Sequence, residues 1–470
     1  MNERTCDLVV IGAGPGGYVA AARGARLGLR TVLVEKDERL GGTCLLRGCI
    51  PTKALLQSAR TWELCRKGAK TFGVEVPAAA FDWGRIQKRK EAVVRKGALG
   101  VAALLDGAGV EVVRGRGRLD GPGRVIVERP GEPASCLLAP KIVVATGSAA
   151  SAVPGVQPDG ERILTSDHLL EIPAVPPSLI VLGAGAVGVE FADVAAAFGA
   201  EVTLVEMLPR VLPLEDADCS REIEQALARR KIGVFCGHRA VRVARAGDLV
   251  EVELKDLATG AAVMRSATHL LLAVGRRPVT EGLGLAEAGA VVDRRGFVQT
   301  DAFQQTAAPG VYAIGDVTLA PQLAHTASAQ ALVAAGHAAG LAVTPVDLDL
   351  IPSCTYCSPE VASVGLTEEE ARARGHEVRV GRFPMAALGK ASILNELHGF
   401  VKVVAEEAGD RVLGVHMVGP HATDLIAAAV TALGFGGGLA TWSRVVHPHP
   451  TLSEGLQEAL LDVQGMSAHG

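Results

Sequence analysis

The sequence predicts an α/β protein built from two similar β-α-β units and a separate C-terminal α+β domain. The first observation is an apolar run at residues 6–11, followed by glycines, a helical stretch at 16–27 and a second apolar strand at 31–35. The same pattern recurs at residues 178–207, which indicates an internal duplication. From about residue 346, strands alternate with short helices. A chain of 470 residues is long enough for three such domains.

The remaining segments place the boundaries between these domains. Residues 81–105 have helical spacing, and two strands at 111–114 and 124–128 are expected to form a meander. In the C-terminal domain we expect strands at 377–383, 399–405 and 411–418 and helices at 367–374 and 422–433. The predicted division of the chain is 1–150, 151–277, 278–345 and 346–470.

Composition and charge exclude several classes of protein. The net charge is −4 with both signs mixed along the chain, so neither a nucleic-acid groove nor an anionic membrane surface is expected. No run of 18 apolar residues is free of charges or of Gly and Pro, so no membrane span is predicted. The first residues enter a strand almost at once, which leaves no room for a signal peptide. Nine thinly spread cysteines are unlike a secreted disulfide framework, and a reducing cytoplasm is expected.

Each β-α-β unit carries a G-x-G-x-x-G fingerprint and an acidic residue 18 positions after its last glycine. The glycines allow a tight turn, a close approach of a pyrophosphate to backbone N–H groups, and close packing of helix on strand. The acid accepts hydrogen bonds from ribose hydroxyls and repels a 2′-phosphate, so the second unit favours NAD over NADP. These residues are Gly12, Gly14, Gly17 and Glu35 in the first unit and Gly183, Gly185, Gly188 and Glu206 in the second.

Two cysteines, Cys44 and Cys49, come after the first fingerprint and stand five positions apart. They could be a structural pair, a metal site or a redox couple. A zinc site usually shows a second pair of ligands at short spacing, which is missing here, and no metal is predicted. In an ideal helix this spacing is too long for a disulfide, so Cys44 must precede the helix or lie in a distorted first turn near Gly48. A helix N-terminus lowers the pKa of a nearby thiol, which favours the redox interpretation.

Two nucleotide sites and one redox cysteine pair imply a path for electrons. A dithiol does not readily accept hydride from nicotinamide, so a flavin is expected between them. Because the cysteines come after the first fingerprint, the first unit is predicted to bind the flavin and the second NAD. Asp316 ends the segment 310–316 and could hold the polyol chain of the flavin.

At this point the chain resembles the pyridine nucleotide–disulfide oxidoreductase family, and within it the dihydrolipoyl dehydrogenases. The matching motifs extend from about residue 6 to residue 464 and include GAGPGGY, GGTC…GCIPTKALL, ATGS, GAGAVGVEFA, AVGRRPVTEGLGL, GVYAIGDV and HPTLSE. The resemblance implies one FAD per subunit in the first and central segments, NAD in residues 151–277, and a homodimer formed through residues 346–470. It also implies partners in a 2-oxoacid dehydrogenase complex or the glycine cleavage system, including lipoyl domains.

The resemblance also implies roles for individual residues. Cys44 would exchange with dihydrolipoamide and Cys49 would lie next to the flavin. Lys53 and Glu190 would form an ion pair near the flavin ring. A base that titrates near neutral pH must take the thiol proton, and the HPTLSE motif assigns His449 to this task, oriented by Glu454 across the dimer. Further cofactor contacts are expected at Thr146 and Gly147 for FAD and at Gly275 for NAD.

Two places depart from the pattern of the family. Leu46 and Arg47 stand where an Asn and a small or aliphatic residue are usual, which changes the charge beside the cysteine pair. Cys354 and Cys357 form a C-x-x-C that the family does not normally show. Because residues three apart in a strand point to opposite faces, we interpret them as separate buried thiols.

Alternative functions stay open on the same scaffold. A glutathione reductase needs a basic residue where Glu206 stands, and a mercuric reductase needs a cysteine pair near its C-terminus, where this chain has none. A transhydrogenase lacks the cysteine pair. A non-enzymatic redox sensor would have lost Cys44, Cys49 or His449, and all three are present.

Overall fold

The computed structural model of the chain describes residues 2–468. The backbone separates into two compact units. The first is formed by Met1–Ala54, Arg85–Ser151 and Arg276–Leu348, and the second by Leu55–Gly84, Ala152–Gly275 and Asp349–Gly470. The second unit contains both the second β-α-β repeat and the C-terminal sheet, and their separation into two domains stays a prediction.

The first unit is centred on a parallel sheet. Its strands are rich in Val, Ile and Leu and almost completely buried, as expected for a sheet covered on both sides, except for the exposed to half-buried edge strand Glu111–Arg114. The helix Pro15–Arg26 begins directly after Gly14, with proline in its first turn, and the helix Ala324–Ala338 packs beside it. In order across the sheet the strands are Val311–Ala313, Lys141–Val144, Leu8–Ile11, Thr31–Glu35 and Glu111–Arg114.

The predicted meander is wrong in its first strand. Glu111–Arg114 pairs in parallel with Thr31–Glu35 and belongs to the central sheet. Gly115, with φ +142°, comes next and turns the chain into a second, smaller sheet. A side chain at Gly115 would meet the carbonyl oxygen of Glu128 at 2.8 Å, so this turn needs glycine. The smaller sheet contains Asn2–Thr5, Ser135–Leu138, Arg124–Glu128 and Arg116–Leu119.

The second unit repeats the parallel arrangement of the first. The strand Ser178–Leu182 lies in the middle, and the helix Ala186–Ala197 begins directly after Gly185. The predicted second β-α-β pattern at 178–207 is therefore present. The parallel strands in order are Ile163–Thr165, His269–Leu272, Ser178–Leu182, Glu201–Val205 and Gly233–Phe235, and an antiparallel sheet contains His238–Ala246, Leu249–Asp256 and Ala262–Ala267.

The C-terminal part of the second unit is an antiparallel sheet with helices against it, so the predicted α+β architecture is confirmed. The three predicted strands and two predicted helices are found within one residue of their expected ends. The sheet order is Ser353–Thr355, Glu360–Gly365, Val412–Gly419, Phe400–Glu406 and Val378–Pro384. The helices are Glu368–Ala373, Gly389–Leu394, Ala422–Gly434, Leu439–Trp442 and Glu454–Val463.

The remaining elements complete the described chain. The two cysteines lie in a short cysteine helix, Gly42–Arg47, and a long cysteine helix, Cys49–Glu63. A further helix, Trp83–Gly107, is named the basic helix because of its charge. No helix in the range 2–468 is long and apolar enough to cross a membrane. The other elements are helices Ser166–Leu170 and Ala217–Arg229, strands Ser148–Ala150 and Arg276–Pro278, one π-turn Leu64–Gly68, and 3₁₀ turns Ala69–Phe72, Gly315–Val317, Leu348–Leu350 and Met385–Ala387.

Candidate active site

The first glycine loop closes as its fingerprint predicts. Gly12 has φ +102°, and a Cβ there would lie 2.4 Å from the carbonyl oxygen of Ala145. A Cβ on Gly17 would lie 1.8 Å from the carbonyl oxygen of Gly12. These two glycines therefore serve close backbone packing. Gly14 lies at the N-terminus of the helix, and a Cβ there would have only the Cα of Gly42 within 4 Å, so the space beside its Cα is open.

The second glycine loop has the same geometry. Gly183 has φ +101°, and a Cβ there would lie 2.3 Å from the carbonyl oxygen of Ala273. A Cβ on Gly188 would lie 1.8 Å from the carbonyl oxygen of Gly183. Gly185 has open space around it. Gly275, at φ +105°, is likewise open, so a ligand can approach the backbone at both positions.

The acid of each fingerprint is tied to its own loop. One carboxylate oxygen of Glu35 accepts the N–H of Ala13 at 2.6 Å and the other accepts the N–H of Asp37 at 2.8 Å. Glu206 accepts the N–H groups of Ala184 and Leu208 at 2.8 and 2.9 Å in the same way. Each carboxylate therefore braces the glycine loop 22 residues before it along the chain, and each oxygen keeps a lone pair for a ribose hydroxyl. The sequence pattern does not reveal this bracing role.

The cysteine pair lies where two helices meet. The short cysteine helix ends at Gly48, whose backbone angles are φ −143° and ψ −111°, and the long cysteine helix begins at Cys49. A Cβ on Gly48 would lie 3.0 Å from the carbonyl oxygen of Thr43, so glycine allows this sharp break. Cys44 thus precedes the long helix, as its spacing predicts. Both residues are half-buried free thiols.

The surroundings of Cys44 favour the protonated form of its thiol. A hydrogen bond to Cys49, burial, and the negative charge of Cys49 all raise the pKa of Cys44, while the ammonium of Lys53 acts in the opposite direction. The lowering expected from a helix N-terminus therefore does not apply to Cys44, because this residue lies inside the short helix and faces the competing thiol. The pair is built as a coupled dithiol with unequal members.

Thr146, Gly147 and Asp316, the other predicted flavin contacts of the first unit, lie in two hydrogen-bonded segments. Thr146 donates to the carbonyl oxygen of Val279 at 2.7 Å. Gly147 has φ +71° and open space around its Cα. Ser148 donates to the carboxylate of Asp316 and accepts from the guanidinium of Arg276 at 2.7 Å. Asp316 lies in a 3₁₀ turn just after the predicted strand and is half-buried.

Glu190 is buried in the second nucleotide helix and accepts the backbone N–H of Tyr356 at 3.0 Å. Three residues on, Asp193 pairs with Arg230 at 2.9 Å. Burial raises the pKa of Asp193 to about 6, and the positive charge of Arg230 opposes the shift. Lys53 belongs to the first unit, so the predicted Lys53–Glu190 pair stays a prediction. The sequence reasoning missed Asp193, although its spacing from Glu190 places both on adjacent turns of one helix.

The C-terminal histidine motif forms the predicted pair. Nδ1 of His449 lies 2.8 Å from one oxygen of Glu454, and the other oxygen accepts the N–H of Thr451 at 2.8 Å. Burial raises the pKa of Glu454, but these two hydrogen bonds prevail and hold it below its usual value. In the neutral imidazole this contact favours the Nδ1–H tautomer, which leaves Nε2 as a hydrogen-bond acceptor. The side chain of His449 is 76% exposed, and its bond to Pro450 is cis. Burial lowers the pKa of His447, its neighbour in the motif.

Two further observations bear on ligand choice. Met207 and Leu208, directly after Glu206, are exposed apolar residues, and the next cation, Arg210, is held by both oxygens of Glu369 at 2.9 and 2.7 Å. The first cation after Glu206 along the chain is therefore neutralised and is not available for a 2′-phosphate. Across residues 2–468, no cluster of three or more His, Cys, Asp or Glu side chains could hold a metal ion. Cys357 is buried and Cys354 half-buried, both as free thiols.

Two glycine-loop units, a dithiol directly behind the first of them and a histidine–carboxylate pair define a protein that passes electrons between a nucleotide and a disulfide. The chain belongs to the pyridine nucleotide-disulphide oxidoreductase family, whose model matches residues 6–331. The dimerisation domain of the same family matches residues 351–460.

Several named proteins are similar to this chain over nearly its whole length. A dihydrolipoyl dehydrogenase of Bacillus subtilis (strain 168) is 42% identical, over 98% of this chain and 99% of that protein. A dihydrolipoyl dehydrogenase of Thermus scotoductus is 44% identical, over 99% of each. Among solved structures, LpdA from Mycobacterium tuberculosis has a TM-score of 0.88 and 30% identity, over 98% of this chain and 99% of that one. The flavoprotein disulfide reductase RclA from Escherichia coli has a TM-score of 0.87 and 26% identity, over 97% of this chain and 99% of that one.

Proposed function

We propose that this protein oxidises dihydrolipoamide to lipoamide and reduces NAD⁺ to NADH, with FAD in the first unit and NAD⁺ in the second. The observation that carries the proposal is the hydrogen-bonded dithiol of Cys44 and Cys49 directly after a flavin-type glycine loop. The dihydrolipoyl dehydrogenases among its relatives support the substrate.

The residues of both units fit the two cofactors. Gly14 and Gly147 leave backbone open in the first unit, and Gly185 and Gly275 do so in the second. A Cβ at these positions would occupy the space that a pyrophosphate or ring needs. The carboxylates of Glu35 and Glu206 would hold the riboses, and Asp316 the polyol chain. FAD would supply the two-electron step between the dithiol and the nicotinamide.

The thiol chemistry starts from the oxidised pair, in which Cys44 and Cys49 share a disulfide. A substrate thiolate attacks Cys44, the S–S bond breaks, and Cys49 leaves as a thiolate beside the positive charge of Lys53. The second substrate thiol then attacks the substrate sulfur of the mixed disulfide, and Cys44 leaves and takes up the proton that this second thiol releases. One S–S bond is thus formed in the substrate while one is broken in the protein.

The base for this exchange is His449, contributed by the partner subunit of a homodimer. Nε2 takes the proton of the attacking thiol, and Glu454 stabilises the imidazolium that results. The exposure of His449 within its own chain fits a residue that completes the site of another subunit. The match to the family's dimerisation domain supports this arrangement. The nine free cysteines fit a cytoplasmic protein.

The experiment compares substrates on the purified protein. Reduction of NAD⁺ by dihydrolipoamide is measured against oxidation of NADPH with glutathione disulfide or Hg²⁺. We expect the first reaction to dominate, because Glu206 disfavours NADPH and no C-terminal cysteine pair is present to bind mercury. A FAD-loaded dimer that shows no activity toward dihydrolipoamide would refute the proposed substrate. Supply of lipoyl domains by a 2-oxoacid dehydrogenase complex or the glycine cleavage system is part of the same proposal.

A further inference from the structure

The basic helix, Trp83–Gly107, concentrates positive charge in a chain of net charge −4. Residues 85–96 contain the six basic residues Arg85, Lys88, Arg89, Lys90, Arg95 and Lys96, and Glu91 as their one acid. Such a local excess of one sign creates a field that attracts the opposite sign.

Part of this charge is exposed and not neutralised by the protein. Lys88, Arg95 and Lys96 are exposed, and none of them has an ion-pair partner among residues 2–468. At 3.6 residues per turn, positions 88, 95 and 99 fall on one stripe of the helix, with position 96 beside it. Leu99, at 65% exposed, adds an apolar side chain to that stripe. We call Lys88, Arg95, Lys96 and Leu99 the basic face.

The same helix lies directly against both cysteine helices. A Cβ on Gly97 would meet the side chain of Leu45 at 2.6 Å, so the residue after Cys44 packs on the backbone of the basic helix. The guanidinium of Arg89 donates to the carbonyl oxygen of Ala54, in the long cysteine helix, at 3.1 Å. The basic face is therefore presented by the element that supports the dithiol.

We infer that the basic face is a docking surface for an acidic protein domain that carries the dithiol substrate. The inference rests on the proposed function. Free dihydrolipoamide carries no carboxylate that unpaired cations could attract, whereas a dithiol carried on a protein arrives together with a folded surface. The three unpaired cations precede Leu99 on the same side of the helix, so charged and apolar side chains lie next to each other, as they do in a transient interface. Charges in such a rim act mainly on the rate of association.

The test is the double variant Lys88→Glu/Arg95→Glu in the full-length protein. Two substrates are compared: free dihydrolipoamide and a reduced lipoyl domain of negative net charge. At low ionic strength we expect kcat/KM for the domain to fall roughly tenfold or more. For free dihydrolipoamide it should change less than about twofold. Added salt should lower kcat/KM for the domain in the unmodified protein and have little effect on the variant.

The matched control is Arg239→Glu/Arg242→Glu, because both arginines are exposed on the strand His238–Ala246 and have no ion-pair partner in the described range 2–468. This control changes the net charge by the same amount as the test variant, and it should not change kcat/KM for either substrate. Flavin content and thermal unfolding establish that both variants are folded.

Three results would overturn the inference. One is an equal loss for both substrates, which would place the effect on the reaction itself. A second is no loss for the lipoyl domain. The third is a change in oligomeric state of the variant, which would make this face a contact between copies of the chain. If the unmodified protein does not oxidise free dihydrolipoamide, the proposed function fails first and the inference with it.

Discussion

The two β-α-β units use the same connections around their glycine loops and differ in the segment after the acidic residue. In each unit the acid at the end of the second strand, Glu35 or Glu206, accepts hydrogen bonds from two backbone N–H groups. One belongs to the glycine loop and the other to the residue two positions after the acid. Six residues after the acid, a further backbone N–H donates to the glycine loop. In the first unit Gly41 donates to the carbonyl oxygen of Ala13 at 3.0 Å, and in the second Leu212 donates to that of Ala184 at 2.8 Å. The nucleotide-binding frame is thus duplicated down to single hydrogen bonds.

After that point the two units diverge. In the first, Gly42 lies so close to the glycine loop that a Cβ would meet the Cα of Gly14 at 2.5 Å, and the short cysteine helix begins there. In the second, Asp216 caps the helix Ala217–Arg229 and pairs with the buried Lys402 at 2.8 Å. The same frame therefore carries a reactive dithiol in one unit and a fixed ionic anchor in the other.

The segment after the acid therefore decides the chemistry of each unit. Two glycines in sequence allow the cysteine helix to approach the first loop, where a flavin would be bound. In the second unit a branched residue, Leu212, takes the place of Gly41 at φ +44°, and the chain leaves the loop open for a second nucleotide. Substitutions in the first unit should therefore affect thiol turnover or flavin binding, and substitutions in the second should affect NAD⁺ binding or the stability of the fold.

The largest effect is expected for Cys44→Ser. Loss of the exchanging thiol should abolish turnover of dihydrolipoamide, by roughly 10³-fold or more, because no other group can receive the substrate sulfur. FAD should stay bound, since the glycine loop is untouched. Steady-state NADH formation and the flavin absorbance measure both. Cys354→Ser serves as the control, and retained turnover in Cys44→Ser would refute the role given to Cys44.

The equivalent glycines Gly17 and Gly188 should separate the two cofactors. In each, the Cβ of an alanine would fall 1.8 Å from a backbone carbonyl oxygen, so the loop must shift. We expect Gly17→Ala to lose bound flavin, and Gly188→Ala to keep flavin and raise the KM for NAD⁺ about tenfold or more. Gly100→Ala, at an open position of the basic helix, is the control. Loss of flavin in both variants would contradict the assignment of one cofactor to each unit.

Removal of Lys402, the cation of the ionic cluster in the second unit, should lower the stability of the fold and leave the rate of catalysis unchanged. Lys402 is 2% exposed and contacts the carboxylates of Asp216, Asp218 and Glu368 at 2.7 to 2.9 Å. Lys402→Met removes the buried cation, so that Asp216 loses its ion-pair partner while Asp218 and Glu368 keep theirs, Arg221 and Arg372. We expect a loss of about 3–5 kcal/mol in the free energy of unfolding. Urea denaturation measures it, with exposed Lys255→Met as the control. A loss below about 1 kcal/mol would show that solvent already screens the cluster.

A smaller effect is expected at Arg47, the charged residue between the two cysteines. Its guanidinium pairs with Asp37, which lies two residues after Glu35, and so ties the end of the short cysteine helix to the acid of the same unit. Arg47→Leu and Asp37→Asn should each cost up to about 1 kcal/mol, because the pair is partly exposed. The double variant should cost no more than either single one. Additive losses in thermal unfolding would mean that the pair does not act as a unit.

The smallest effect is the acid dependence that Glu454 contributes. The pKa of Glu454 is lower in the folded protein than in the unfolded chain. The ionised carboxylate therefore stabilises the fold at pH values above its unfolded pKa. This contribution is lost as the pH falls through the lower, folded pKa. Glu454→Gln should therefore flatten the stability curve between about pH 3 and 5. Unfolding measured across this range tests the sign. A steeper curve in the variant would contradict it.

Much of the fold and several of the site residues could be predicted without the structure. The strands and helices of both β-α-β units, the break near Gly48, the His449–Glu454 pair and the α+β domain arise from short-range patterns of apolar residues, glycines and motif spacing. The predicted meander was wrong because the pairing partner of its first strand is distant in the sequence. Glu111–Arg114 has the alternation of a strand, but it pairs with Thr31–Glu35, about 80 residues earlier in the chain. Local pattern indicates a strand and does not indicate its pairing partner.

The sequence by itself therefore determined the class of fold, the two nucleotide loops and the reactive cysteine pair, because each is encoded within about 30 consecutive residues. Only the tertiary structure decided that Glu35 and Glu206 brace their loops, that the pKa of Cys44 is raised, that Arg47 is paired and that Lys402 lies buried among three acids. These properties depend on groups that meet in space through folding, and on burial, which sets the strength of every charge.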